Sequence, residues 1–285
     1  MEIDFRTQDW LDAQIVFDFF RHETDCMDKY GRLLIEPRFV VAIGDDPVSA
    51  YYAAAIAKQA KRQFGKYPNL LCVGGYGPLS KHLNRLDDGT MVSEGVKLRM
   101  TALRLGNFQA TVLDKSNNIC DSLKEIAHYL TLRFASDYPL IFCVTQRLSK
   151  LLERTVEFLP QQFPEIRRLN AYYYVPGEDI REVCQMYNGM ALADGLPLLS
   201  EAAALYDRVG TERYVGHSIA DFDRMIPKRV MQAGMYLSEK YPLRVARSPF
   251  MAPRQYGKLF FNVLKHRKDV EADYEQKIFD WIARI

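Results

Sequence analysis

The sequence predicts an α/β fold in which a parallel sheet is covered by helices on both faces, with a mainly helical extension after it. Over the first 176 residues, short apolar runs alternate with longer segments that have helical spacing. This alternation is typical of consecutive βαβ units. It stops after Pro176, and the segments 178–208, 224–240 and 269–285 have helical patterns. We therefore expect an α/β ligand-binding domain over 1–176 and a helical subdomain over 177–285.

The domain begins with a predicted helix over 7–30, in which Asp9 can cap the first turn. A strand is predicted over 38–44, because a short apolar run there leads directly into the loop Gly44-Asp45-Asp46-Pro47. The segment 49–62 is rich in alanine, which has the highest helix propensity, and it predicts the second helix.

The second strand is predicted over 69–73, where an apolar run leads into the glycine-rich loop Gly74-Gly75-Tyr76-Gly77-Pro78. The next helix is predicted over 91–105, with Ser93 and Glu94 near its start. Serine is a favoured helix cap and glutamate is favoured in the first turn.

The second half of the domain repeats the pattern with shorter strands. Strands are predicted over 110–113, 139–144 and 171–175, which are short apolar runs bounded by polar turns. Helices are predicted over 121–134, from apolar residues at helical spacing, and over 149–158. The expected order is thus strand and helix in strict alternation as far as Pro176.

Composition excludes several classes of protein. The chain of 285 residues is 48% hydrophobic and 26% charged, as expected for a globular protein with a full core. A net charge of +2, from 38 basic and 36 acidic residues, gives no basic surface for nucleic acid. The sequence contains no uninterrupted run of about 18 apolar residues, so no membrane span is predicted. The five cysteines form no CxxC motif and no secretory signal is visible, so we expect a cytoplasmic protein.

Polar and glycine residues follow four of the predicted strands. They are Gly44 and Asp45, the glycine loop from Gly74 to Pro78, the turn from Asp114 to Asn118, and Thr145. Right-handed crossovers place the carboxyl ends of parallel strands at one edge of the sheet. Ligands of open α/β sheets bind at that edge, so the sequence predicts a crevice for a small molecule there.

Each of these groups has a structural as well as a functional interpretation. The amides of Gly74 to Gly77 can hold an anion, or the glycines can serve only a tight turn. Asp45 can contact a metal or a ribose, while its neighbour Asp46 can cap a helix. Asp114, Ser116, Asn117 and Asn118 suit a polar ligand or a turn that satisfies its own hydrogen bonds. His82 can exchange protons or lie in a solvated loop.

Several common catalytic and binding motifs are missing from the chain. There is no GK[ST] after the glycine loop and no complete GxGxxG, so neither a P-loop nor a full dinucleotide fingerprint is present. The sequence has no HExxH motif and no Cys/His cluster, so we expect no zinc site. It has no GxSxG either, which argues against a nucleophile-elbow hydrolase.

The order of these segments resembles the YdcF-like, SanA/ElyC-related bacterial family. The segments that carry the resemblance are Ile43-Gly44-Asp45, Val73-Gly74-Gly75-Tyr76-Gly77, Ser93-Glu94, Leu113-Asp114-Lys115-Ser116-Asn117-Asn118 and Val144-Thr145. They span residues 39–158. A later segment, from Arg213 to Phe222, is similar only to the YdcF branch.

The resemblance implies a Rossmann-like domain and a pocket at the strand ends. The pocket residues that it implies are Gly44, Asp45, Gly74, Gly75, Gly77, Glu94, Ser116 and Asn118. It also implies a nucleotide-like ligand such as S-adenosylmethionine. The chain departs from the family at Asp121-Ser122, where relatives have Glu-Asn, and at Ser149 and Leu152, where relatives often have His and Arg.

Two hypotheses follow. In the first, the protein binds a nucleotide-like, phosphorylated or adenosyl metabolite and acts on it or only binds it. Glu94 or Asp45 would then be the acid–base or metal-contacting group. In the second, the protein is a non-catalytic regulatory or scaffold protein that binds a protein partner through its helical C-terminal part. The departures from the family at Ser149 and Leu152 favour this second hypothesis.

Overall fold

The computed structural model describes residues 8–20, 23–43, 48–76, 90–116 and 119–176, together with a few residues between 227 and 236. The helices predicted after Pro176 lie almost wholly outside these residues. The chain divides into two compact units. One is Arg21–Pro176, called the α/β unit below, and the other joins Met1–Phe20 to Gly177–Ile285. The first helix belongs to the second of these units.

The elements follow the predicted alternation. The strands are β1 (Phe39–Ile43), β2 (Asn69–Val73), β3 (Ala110–Leu113), β4 (Leu140–Cys143) and β5 (Ala171–Tyr174). The helices are α1 (Gln8–Phe20), α2 (Val48–Phe64), α3 (Glu94–Leu105), α4 (Ile119–Leu132) and α5 (Gln146–Gln162).

The five strands form one parallel sheet in the order β3-β2-β1-β4-β5. The predicted parallel α/β fold is therefore confirmed, and its arrangement is Rossmann-like. Ile43 at the end of β1 pairs with Val73 at the end of β2, so the strand ends are level. The chain runs outward from β1 to β2 and β3, then returns to the other side of β1 with β4. The strand order therefore reverses between β1 and β4.

The central strands of the sheet are buried because helices pack on both of its faces. Every residue of β1 and β4 is buried, which explains why these strands have continuous apolar runs. The residues Val41, Leu71 and Phe142 form a core with apolar residues of α4 and α5. The helices α2 and α3 pack on each other and against β1, β2 and β3. The carboxyl edge of the sheet is left for the loops that build the site.

The N-terminal helix is shorter than predicted. Apolar residues suggested a helix over 7–30, but α1 ends at Phe20. Farther along, the Asp28 carboxylate accepts hydrogen bonds from the amides of Tyr30 and Arg32, and Gly31 has a φ of 76°. This aspartate turn gives the backbone an alternative to helical hydrogen bonds.

The chain before β1 covers the outer edge of β5. The Asp25 amide donates to the Tyr173 carbonyl at 3.2 Å. The Thr24 hydroxyl donates to the Val175 carbonyl at 2.8 Å and accepts from the Val175 amide at 3.0 Å. An open strand edge is a template for pairing with other chains, and this segment occupies it.

The four described cysteines are free thiols and are buried. Cys72 and Cys143 have no exposed surface, as the apolar runs around them predicted. Burial raises the pKa of the Cys26 and Cys72 thiols to about 12. Over the part of the chain that the structure describes, no helix has the length and apolar character needed to cross a membrane.

Candidate functional site

The end of β2 and the start of α3 meet directly at the carboxyl edge of the sheet. The Glu94 amide donates to the Gly75 carbonyl at 3.1 Å, and the Gly95 amide donates to the Gly74 carbonyl at 2.7 Å. The first amides of a helix have no acceptor within the helix, so the glycine loop supplies acceptors for two of them. The Gly74 amide itself donates to the Leu113 carbonyl at the end of β3. These bonds fix the start of α3, and with it Glu94, at the edge where the crevice was predicted.

Three glycines permit this close approach. A Cβ on Gly75 would lie 1.9 Å from the Ser116 carbonyl oxygen, and a Cβ on Gly95 would lie 2.7 Å from the Cys72 carbonyl oxygen. A Cβ on Gly74, whose φ is 150°, would lie 2.7 Å from the Glu94 side chain. The side of Gly75 that a Cβ would occupy is therefore filled by protein backbone. These contacts support the tight-turn interpretation of the loop, since they require glycine whether or not a ligand binds.

Ser93 joins α3 to the loop after β3. It caps α3, because its side-chain oxygen accepts a hydrogen bond from the Val96 amide at 3.2 Å. Its hydroxyl also donates to the Asp114 carboxylate at 3.2 Å. Ser93 has no exposed surface, so this link is held inside the protein. The helix start and Asp114 are therefore positioned by one side chain.

The loop after β3 is also tied to α4. The Ser122 hydroxyl donates to the Ser116 hydroxyl at 2.9 Å, and both residues are buried. The Glu125 carboxylate accepts from the Lys115 amide, with a shortest distance of 3.1 Å. Burial, reinforced by the negative charge of Asp114, raises the pKa of Glu125 above its ordinary value, while the bond from the Lys115 amide lowers it.

We call these residues the β2–β3 cluster. Its predicted members are Gly74, Gly75, Glu94, Asp114 and Ser116, and the structure brings them together. Its other members are Ser93, Gly95, Ser122 and Glu125. Ser93 was predicted near the start of α3 and Ser122 lies among the departures from the family, but no site role was predicted for either. Nothing in the local sequence distinguished Gly95 or Glu125, because their roles depend on contacts between separate elements.

Thr145 lies beyond the end of β4, on the other side of β1 from the β2–β3 cluster. It is the cap residue of α5, but its side chain makes no capping hydrogen bond. Thr145 and Gln146 are each 1% exposed. Within the described structure, Thr145 Oγ1 and Gln146 Nε2 are the buried side-chain polar atoms that have no hydrogen-bond partner. The sequence predicted a role for Thr145 but assigned none to Gln146.

The two groups of residues flank the point where the strand order reverses. Adjacent strands lie about 4.8 Å apart, so the end of β4 is about 10 Å from the end of β2 and about 14 Å from the end of β3. The predicted residues Gly44, Asp45, Gly77 and Asn118, and also His82, lie outside the described residues. Within the described ranges, no three His, Cys, Asp or Glu side chains are grouped in the way that a metal ion requires.

The arrangement combines a set of carboxylates and hydroxyls at one end with unpaired buried polar atoms at the other. In comparisons with known proteins, no family model, no curated protein and no solved structure matches this chain.

Proposed function

We propose that this protein binds a nucleotide-like small molecule, either phosphorylated or adenosyl, at the carboxyl edge of its sheet. S-adenosylmethionine is one such ligand. The observation that carries the proposal is the strand order β3-β2-β1-β4-β5, which reverses between β1 and β4. In open parallel sheets, ligands bind in the crevice outside the carboxyl ends of the strands at this reversal.

The resemblance to the YdcF-like family supports the same proposal. Three of the segments that carry the resemblance follow β2, β3 and β4, and the described part of each lies at the carboxyl edge. We propose that the chain is a YdcF-like protein on this basis. The spacing of about 10 Å between the ends of β2 and β4 suits a ligand that is longer than a single phosphate or sugar.

If the protein also acts on its ligand, we propose Glu94 as the acid–base group. It lies in the first turn of α3, where the helix dipole favours a negative charge. Gly74 leaves room for its side chain at the edge of the sheet. The second predicted catalytic residue, Asp45, lies outside the described residues.

The proposal is tested by thermal denaturation of the full chain with a panel of compounds. The panel contains nucleotides, sugar nucleotides, isoprenoid phosphates, S-adenosylmethionine and its demethylated product. A ligand at about 100 times its Kd adds about 2.7 kcal/mol of stability. For a unit of this size that corresponds to a rise in Tm of roughly 5–10 °C.

Hydrogen exchange with the hit compound then locates the site. We expect slower exchange of the amides after β2, β3 and β4, and unchanged exchange at the opposite edge of the sheet. A panel without any hit, or protection at the opposite edge, would refute the proposal. Glu94→Gln serves as the probe for chemistry, because Gly74 and Gly75 cannot be replaced without steric conflict. An activity that survives Glu94→Gln unchanged would exclude Glu94 as the acid–base group.

A further inference from the structure

Two polar atoms at the start of α5 are buried without a partner, although protein interiors rarely tolerate this. Thr145 Oγ1 and Gln146 Nε2 have no hydrogen-bond partner within the described structure, and both residues are almost completely buried. An unsatisfied buried polar group destabilises the folded state, and in native proteins it indicates strain, a missing water or ion, or a functional role. The two atoms belong to consecutive residues, so one cause can account for both.

The surrounding backbone adds further hydrogen-bond donors. The amides of the first turn of α5 have no acceptor within a regular helix. The Leu148 amide turns back to the Thr145 carbonyl at 3.1 Å, but the Thr145 side chain caps none of them. The helix has 17 residues, so its dipole favours a negative charge at this end.

Each of the groups gathered here can donate a hydrogen bond. The Gln146 amide nitrogen can donate two hydrogen bonds, the helix amides can donate one each, and the Thr145 hydroxyl can donate one as well as accept. A ligand group that satisfies them must present oxygen acceptors. Together with the helix dipole, this set favours an anionic oxygen group over a neutral one.

We propose that Thr145, Gln146 and the first turn of α5 form a subsite for an anionic oxygen group, either a phosphate or a carboxylate. The proposal rests on the function proposed above, because the subsite lies at the end of β4, beside the reversal between β1 and β4. It also predicts the orientation of the bound ligand. Its anionic group binds at α5, and the rest of the molecule extends toward the β2–β3 cluster about 10 Å away.

The test compares the full chain with its Thr145→Val and Gln146→Leu variants. Both substitutions remove the unpaired atoms and approximately preserve side-chain shape or length. The variants should be at least as stable as the wild type without ligand, because no hydrogen bond within the protein is lost. Thr155→Val is the matched control. Thr155 is a buried threonine about 15 Å farther along the same helix, and it is engaged in an interaction within the protein.

The probes are inorganic phosphate, pyrophosphate and acetate, each compared with chloride at the same ionic strength. We expect one of them to raise the Tm of the wild type and of Thr155→Val. Its apparent Kd should rise at least tenfold in Thr145→Val and in Gln146→Leu. A response to phosphate or pyrophosphate alone identifies a phosphate group, and a response to acetate alone identifies a carboxylate.

Several results would overturn the subsite. One is that no anion stabilises the wild type, and another is that the variants bind the anion as well as Thr155→Val does. A third is that Thr145→Val and Gln146→Leu destabilise the free protein more than Thr155→Val, which means that the two atoms have partners in the protein. If a panel compound binds but its affinity is unchanged in the two variants, the subsite is wrong and the proposed function stands. If an anion binds through this pair but no panel compound binds, the subsite stands and the proposed ligand class is wrong.

Discussion

Replacing Phe134 by glycine should stabilise the α/β unit, because a bulky residue occupies a position that favours glycine. Phe134 has a φ of 53°, in the left-handed region. It follows α4, where the Phe134 amide donates to the Thr131 carbonyl and the Ala135 amide donates to the Leu130 carbonyl. This pair of bonds is typical of a Schellman motif, in which the left-handed residue is usually glycine.

The magnitude follows from two opposing contributions. Left-handed backbone costs a residue with a Cβ about 1–2 kcal/mol. Glycine loses about 0.5–1 kcal/mol more backbone entropy on folding. The Phe134 side chain is 94% exposed, so its removal sacrifices almost no buried surface. We therefore expect Phe134→Gly to raise the free energy of unfolding by about 0.5–1 kcal/mol, or the Tm by roughly 1–4 °C.

Urea denaturation followed by circular dichroism measures this change, and Phe134→Ala is the control. Alanine removes the same exposed ring but keeps the Cβ that causes the strain. The urea concentration at the midpoint of unfolding should therefore rise in Phe134→Gly and not in Phe134→Ala, with the same m-value in both variants. If Phe134→Gly is no more stable than Phe134→Ala, backbone strain at this position is not the cause.

Three further predictions concern the glycine loop, the covered edge of β5 and the buried thiols. Gly75→Ala should cost about 3 kcal/mol or more, because its Cβ would meet backbone at 1.9 Å. Gly31 also has a positive φ, but a Cβ there would meet open space, so Gly31→Ala should lower the free energy of unfolding by only about 1 kcal/mol. Equal losses for Gly75→Ala and Gly31→Ala in urea denaturation would contradict the steric argument. Thr24→Val should lower the free energy of unfolding by about 1–3 kcal/mol, because it leaves the Val175 amide and carbonyl without their partner. Thr24→Ser keeps the hydroxyl and should retain most of the stability. Similar losses in the two variants would count against the hydroxyl bonds. Burial raises the pKa of Cys26 and Cys72 to about 12, so the folded chain retains protons that the unfolded chain loses above about pH 8.5. The free energy of unfolding should therefore fall as pH rises from about 8.5 toward 12, by up to about 1.4 kcal/mol per pH unit for each thiol. Urea denaturation at several pH values measures this slope. If Cys72→Ala leaves the slope unchanged, the buried Cys72 thiol is not its source.

Local sequence patterns were sufficient for the strands. The bounds of β2 and β3 coincide with the predicted segments, and β1, β4 and β5 differ from them only at their ends. A strand buried on both faces requires a continuous apolar run, so its identity is visible in a few neighbouring residues. Helix boundaries were less accurate, because α5 starts at Gln146 rather than at residue 149 and α1 ends at Phe20. Helix ends depend on caps and turns, which compete closely in energy.

The sequence by itself determined that the chain forms a parallel α/β sheet and that glycine and polar residues follow its strands. Both conclusions rest on periodicity and turn chemistry, which act between residues close together in the chain. Only the tertiary structure decided the strand order, the filling of the space beside Gly75 by the backbone at Ser116, and the lack of partners for Thr145 Oγ1 and Gln146 Nε2 within the described residues. These features depend on contacts between segments that are tens of residues apart, and no local pattern records whether a buried polar atom meets a partner there.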